Sequence, residues 1–165
     1  QKIDWNTRPR STDPNGPIDL ARDCTWKLSS GGGILSSPAL DDSRWTSVLV
    51  PDYWENAGGI FSRYDGIAWY RVEFQLPAAR LSNWTRSGRR ILLTLGAVDD
   101  TDSAYVNGFK VGETLPSQDV EKKTRRYVVS PAYLRPGRNV IAVQVTDNKG
   151  SGGIWRTPVE LGPEW

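Results

Sequence analysis

Between Asp65 and Pro77 the chain reads DGIAWYRVEFQLP. Ala68, Tyr70, Val72, Phe74 and Leu76 are apolar or small, and Arg71, Glu73 and Gln75 between them are polar, the period of two that marks a strand with one buried face. Trp69 falls on the polar side. A large aromatic in that position is either covered by another segment or offered to a ligand.

Short runs broken by turn residues continue this pattern. They are Cys24 to Leu28, a Gly31-Gly32-Gly33 loop, Trp45 to Val50 stopped by Pro51, and the long strand from Ile67. After it come Arg90 to Ala97, Ser103 to Asn107, Phe109 to Glu113, Thr124 to Ser130, Arg138 to Thr146 and Ile154 to Leu161. Asn107-Gly108 separates two of these runs and predicts a two-residue hairpin, because both residues accept the positive φ of a type I′ turn. Ile91, Leu93 and Leu95 share one face of their strand, and Ile141, Val143 and Val145 one face of theirs.

About nine short strands, each burying one side, predict an all-β fold: an antiparallel β-sandwich or jelly roll with little helix. The best helical candidate is a single turn at Pro131 to Leu134, ended by Arg135-Pro136-Gly137. Residues 1–21 hold Pro9, Pro14, Pro17 and Asn15-Gly16 without a sustained period, and read as an N-terminal arm. Residues 22–165 read as one β-sandwich domain.

Strand parity places the loops. If direction reverses at each connection, the loops Glu55 to Gly66, Val98 to Asp102, Thr114 to Lys123 and Asp147 to Gly153 all lie at one end, which we call the top. The opposite end receives Ala78 to Arg89, the Asn107-Gly108 hairpin and the Pro131 turn.

At 165 residues the chain is large enough that folding buries roughly 70% of the unfolded surface, so no covalent staple is needed. The single cysteine, Cys24, reads as a small buried apolar group. With 21 Lys+Arg against 19 Asp+Glu, the net charge of +2 gives little field to steer nucleic acid or an anionic membrane, and neither is an expected partner. No apolar run reaches the ~18 to 20 residues that span a bilayer. A start at Gln1 with no Met anywhere suggests a processed or excised piece. The absence of histidine excludes Ser-His-Asp triads, whereas eight Trp residues suit the flat C–H faces of sugars.

The top rim collects the candidate ligand-binding residues Trp54, Arg63, Tyr64, Asp65, Trp69, Asp99, Asp100, Asp147 and Trp155, with Asp102 and Asn148 beside them. Carboxylates accept sugar hydroxyls and aromatics cover the apolar ring face. Asp and Asn also favour loops for local backbone bonding alone. Asp99, Asp100 and Asp102 could ligate a structural calcium, although their spacing lacks EF-hand order. The alternative is a structural cluster that pairs with Arg63 or Arg71. Paired carboxylates for glycoside hydrolysis require a cleft that nothing here specifies, so no catalytic residue is assigned. The basic clusters Arg86 to Arg90 and Lys122 to Arg126 read as solvated charges guarding sheet edges, with an anionic polysaccharide as the sharper alternative. Asn83-Trp84-Thr85 is a formal N-glycosylation sequon.

Taken in order, DSRWTSVLVPDYW after Asp41, DGIAWYRVEFQLP, LTLGAVDDTDSAYVNGFKVG, LRPGRNVIAVQVTD and the closing GGIW resemble the galactose-binding-like jelly roll. This is the sugar-binding domain of family 2 glycoside hydrolases, and the domain inserted in sialate O-acetylesterases is similar. The resemblance spans Arg22 to Leu161. It implies a non-catalytic domain, since the two glutamates of a family 2 hydrolase sit in a separate (β/α)₈ barrel and the esterase Ser and His in a separate α/β domain.

The expected function is that of a non-catalytic carbohydrate-binding domain of, or detached from, a secreted or periplasmic carbohydrate-active enzyme. Its partners would be carbohydrate and an adjacent catalytic domain. The alternative is a structural accessory domain that braces such a neighbour without glycan affinity of its own. Between these readings Trp69 is expected to be a covered residue near the site, with the loop Asn56 to Tyr64 as the place to look for specificity.

Overall fold

A computed structural model of the chain describes residues 13–164. Its strands are β1 (Ile18–Asp19), β2 (Trp26–Ser30), β3 (Thr46–Val48), β4 (Gly66–Leu76), β5 (Ile91–Asp99), β6 (Thr101–Val106), β7 (Phe109–Thr114), β8 (Arg125–Val129), β9 (Gly137–Asp147) and β10 (Gly153–Pro163). They form a four-stranded sheet in the order β1-β10-β5-β8 and a six-stranded sheet in the order β3-β2-β4-β9-β6-β7. Every pairing is antiparallel. The all-β sandwich expected from the alternation is present.

The alternating positions become the core. Ala68, Tyr70, Val72, Phe74 and Leu76 of β4 and Ile141, Val143 and Val145 of β9 join Leu93, Leu95, Val159 and Leu161 of the smaller sheet in one cluster. Each buried Val, Leu, Ile or Phe removes enough apolar surface from water to contribute about 1.5 to 3 kcal/mol.

Trp69 lies on the outer face of the six-stranded sheet, yet it is 1% exposed and packs on Tyr105 with ring centroids 5.6 Å apart. Arg71, two residues on and on the same face, is equally buried. Its guanidinium donates to Asp42 Oδ2 at 2.9 Å and to the Leu35 carbonyl at 2.8 Å, so the segment between β2 and β3 lies over this face. The face that the period of two marks as wet is therefore covered at these two positions. Arg71 serves that cover and not the Asp cluster of the rim, for which Arg63 or Arg71 was the expected partner.

Regular structure begins ahead of Arg22. Ile18 and Asp19 pair with Leu161 and Glu160 of β10, and Leu20 is fully buried. The rest of the expected arm, residues 1–12, lies outside the described residues, as does Trp165. Helix was also underestimated: α1 (Ala78–Arg86) occupies the segment read as a bottom loop. Its only large apolar residues are Leu81 and Trp84, three apart, too few for a helical period to show in the sequence. Trp84 is 1% exposed and joins the core. The expected turn at Pro131 is a 3₁₀ helix, Pro131–Tyr133, with the Ser130 side chain accepting from the Ala132 amide.

The Asn107-Gly108 turn has φ of 48° and 85°, as a type I′ hairpin requires. Asn107 does more than turn the chain. It is buried, with Nδ2 donating to the Tyr133 carbonyl and Asn139 Oδ1, while its Oδ1 accepts from the Val140 amide.

Gly96 marks the tightest approach in the smaller sheet. A Cβ there would stand 2.0 Å from the Arg156 carbonyl oxygen and 2.3 Å from that of Thr157, both backbone atoms of the irregular part of β10. Gly96→Ala is expected to destabilise the chain by about 2 kcal/mol or more through overpacking. Urea unfolding checks this, and an unchanged midpoint would contradict the register of β5 on β10.

Candidate functional site

Strand ends build the rim that parity placed at the top. Gly66 pairs with Asp147, Thr101 with Thr146, and Gly153 with Asp99, so β4, β5, β6, β9 and β10 all begin or end there. Asp99 and Asp147 are the last residues of β5 and β9, and Asp100 joins β5 to β6. These three carboxylates each present an oxygen, and the oxygens lie within 4.8 Å of one another.

The loops are held by bonds to their backbone. The Asp100 amide donates to the Thr146 carbonyl, and Asp100 Oδ2 accepts from the Asn148 amide at 3.0 Å. Asp147 Oδ1 accepts from the Lys149 amide at 3.2 Å, while Oδ2 is buried without a hydrogen-bond partner. Glu55 accepts the Gly152 amide, tying the 3₁₀ turn Trp54–Ala57 to the start of β10.

Arg125, at the start of β8, is the hub of this end. It is buried, and its Nε donates to Asp102 Oδ1 at 2.7 Å, linking the smaller sheet to β6 of the larger one. Its terminal nitrogens donate to the carbonyls of Val120, Lys123 and Asp100, each at 2.6 or 2.7 Å. Tyr127 adds a bond from its hydroxyl to Asp102 Oδ2. Arg125 thus departs from the expected solvated edge charge, and Asp102 is withdrawn from the calcium set because its oxygens face Arg125 and Tyr127.

No ion pair among the described residues reaches Asp99, Asp100 or Asp147. Burial, the hydrogen bond and charge of Asp100, and the charges of Asp147 and Glu121 push the Asp99 carboxyl up to about 8. Burial, followed by the charges of Asp100, Asp65 and Glu55, pushes Asp147 up to about 7 against the opposing Lys149 amide. The main cause is desolvation at this strand end, with like charge gathered beside it.

The aromatic candidates divide. Trp54 is 1% exposed, gives its Nε1–H to the Tyr64 carbonyl, and packs against Phe61 and Tyr64. With Trp69 it is removed from any stacking surface. Indole type alone does not decide burial, and here both rings are buried. Tyr64 is half-buried, its hydroxyl donating to the Ile67 carbonyl at 2.6 Å. Trp155 is half-buried: its Nε1–H donates to the Glu121 carbonyl, and it stacks on Tyr53 at 5.5 Å and 11°. The Arg156 guanidinium lies 5.1 Å from its ring centroid. Arg63 and Asp65 are exposed, and Asp99 and Asp100 are half-exposed, whereas Asp147 is 1% exposed.

Glu55, Glu121 and Tyr53 belong to this end of the molecule and were not among the expected site residues. Glu55 and Glu121 carried a signal through their places in the rim loops Glu55 to Gly66 and Thr114 to Lys123, and Tyr53 through its place beside Trp54. Next to Tyr53, a cavity of about 200 Å³ is lined by Leu49, Asp52, Trp54 and Asn56. Its Asp52 is already engaged by the Tyr53 amide and Asn56 Nδ2.

No protein-family model matches the chain. No curated protein matches it either. Solved structures do. A Bacteroides uniformis beta-glucuronidase 2, covalently bound to cyclophellitol-6-carboxylate aziridine, is 28% identical over 86% of this chain and 17% of its own, with a TM-score of 0.66. A beta-glycosidase from Bacteroides vulgatus is 26% identical over 83% of this chain and 19% of its own, with a TM-score of 0.61. A family 2 glycosyl hydrolase from Bacteroides cellulosilyticus is 21% identical over 85% and 19%, at a TM-score of 0.65, which supports the fold alone. The chain spans about a fifth or less of these proteins, and the resemblance to a domain of family 2 glycoside hydrolases holds across most of its length.

A carboxyl that keeps its proton more tightly folded than unfolded favours the folded state at low pH. For Asp99 and Asp147 that contribution is complete below pH ~4, where the unfolded carboxyls are also protonated. It is lost as pH rises through about 7 for Asp147 and about 8 for Asp99. With no histidine to titrate in that window, the thermal midpoint in chelator-containing buffer should fall as the pH is raised from mildly acidic to mildly basic. Asp99→Asn should flatten the fall. A wild-type midpoint that stays level or rises contradicts the crowding of these carboxylates.

Proposed function

We propose that this jelly roll, which matches a domain-sized part of family 2 glycoside hydrolases, is a non-catalytic accessory domain of a carbohydrate-active enzyme and meets glycan at its acidic rim. The observation that carries the reading is the set of carboxylates with no basic partner among the described residues, at the meeting of five strand ends. Asp65, Asp99 and Asp100 are open enough to accept vicinal hydroxyls, and Arg63 is placed to donate to ring or carboxylate oxygens. The half-buried edge of Trp155 supplies an apolar border.

Catalysis by this chain is not part of the reading. The Asp99, Asp100 and Asp147 oxygens, at 4.8 Å or less, are closer together than the ~5 to 9.5 Å of a glycosidase pair. The cavity beside Tyr53, about 200 Å³, is smaller than the ~300 Å³ at which enclosed ligand sites begin. Binding would be shallow and open.

A second reading has its own observation. Leu49, Ile60 and Leu115 are 80%, 68% and 64% exposed, and the latter two sit in rim loops. Large apolar side chains left bare suit a surface that braces a catalytic neighbour.

A glycan array followed by calorimetric titration separates the two. Under the first reading at least one neutral or acidic glycan binds, and Asp65→Asn or Asp100→Asn weakens it by about tenfold to a hundredfold, the loss of one charge-assisted hydrogen bond. Absence of binding to every glycan tested would sink the first reading and leave the bracing one.

A further inference from the structure

We propose that Asp99, Asp100 and Asp147 form a calcium site that fastens the rim. Two observations carry it. Each of the three residues offers a carboxylate oxygen, and these oxygens lie within 4.8 Å of one another. Calcium–oxygen distances are ~2.3 to 2.6 Å, so the ligand oxygens of one ion stand up to about 5 Å apart, and the spread of these three falls within that span. Magnesium, with bonds of ~2.0 to 2.1 Å and a strict octahedron, tolerates an irregular set of protein oxygens less well than calcium does.

The second observation is the state of Asp147. The residue is 1% exposed, Oδ1 has a single bond to the Lys149 amide, and Oδ2 is buried with no hydrogen-bond partner. A buried carboxylate oxygen with nothing to accept is costly unless a cation or donor neutralises it. No Lys or Arg side chain among the described residues forms an ion pair with any of the three. The donor set is all oxygen, which selects a hard cation over zinc or copper.

The arrangement also explains what such an ion would do. Asp99 closes β5, Asp100 leads into β6, and Asp147 closes β9, so one ion ties three strand ends across both sheets. Further ligands would come from water on the half-exposed side of Asp99 and Asp100. The site shares Asp99 and Asp100 with the glycan reading but does not rest on it: it holds whether or not the rim meets a sugar.

The test is calorimetric titration of the whole chelator-stripped chain with calcium chloride, alongside magnesium chloride and sodium chloride at matched ionic strength, with thermal melts in each. One saturable site below ~1 mM calcium is expected, with a rise of roughly 3 to 10 °C in the thermal midpoint that the other salts do not reproduce. Asp100→Asn should weaken calcium binding at least tenfold, while Asp119→Asn, an exposed carboxylate outside the trio, should leave it within about twofold. Circular dichroism of each variant without calcium keeps misfolding from imitating the loss. Absence of saturable calcium binding, equal binding by magnesium, or an unaltered affinity in Asp100→Asn overturns the proposal.

Discussion

The upper end of this sandwich depends on one buried guanidinium. Arg125 sits in the smaller sheet and spends its hydrogen bonds on the other parts of the rim: the Asp102 carboxylate in β6 and the carbonyls of Asp100, Val120 and Lys123. A dry ion pair of this kind adds little net stability compared with well-packed apolar residues. Its value here is geometric. The planar fork of an arginine fixes several acceptors at once, which a lysine point charge cannot do. With both partners completely buried, the loops before β6 and before β8 have one arrangement relative to each other.

That arrangement has an electrostatic consequence. Arg125 pairs with Asp102 and reaches only the backbone of Asp100, so the side chains of Asp99, Asp100 and Asp147 stand together without a Lys or Arg ion-pair partner among the described residues. Burial first, and their mutual repulsion after it, account for the raised carboxyls of Asp99 and Asp147. Under the proposed reading the rim favours ligands that bring hydroxyl donors or positive charge. The aromatic residues around it act mainly as supports: Trp54 fastens the loop that runs to Tyr64, and Trp155 is held between Tyr53 and the Glu121 carbonyl.

The sandwich was legible because its signal is redundant: five apolar positions in β4 and three each in β5 and β9 repeat the same period. The convergence of the rim loops followed from parity alone, which needs only a count of strand reversals. Three things escaped for physical reasons. Trp69 and Arg71 alternate as solvent-facing residues, but a segment more than 25 residues away in sequence lies over Arg71, and a long-range contact leaves no local period. The helix Ala78–Arg86 has too few apolar residues to show its own repeat. Arg125 stands in a run of basic residues that reads as solvated, and its neighbours Lys122, Lys123 and Arg126 are indeed exposed. Nothing in the sequence says which of the four turns inward, and that choice also removes Asp102 from the group of carboxylates open to a ligand.

The claim that one arginine holds the rim loops is tested most directly by hydrogen–deuterium exchange on the wild-type chain and Arg125→Lys. The amides of Asp100, Lys122 and Lys123 bond within or beside the loops whose carbonyls Arg125 engages. Lysine keeps a charge for Asp102 and loses the fork. The account predicts faster exchange at these three amides, with those of β4 and β9 unchanged. Unchanged exchange throughout, or acceleration spread evenly over the core strands, would contradict it.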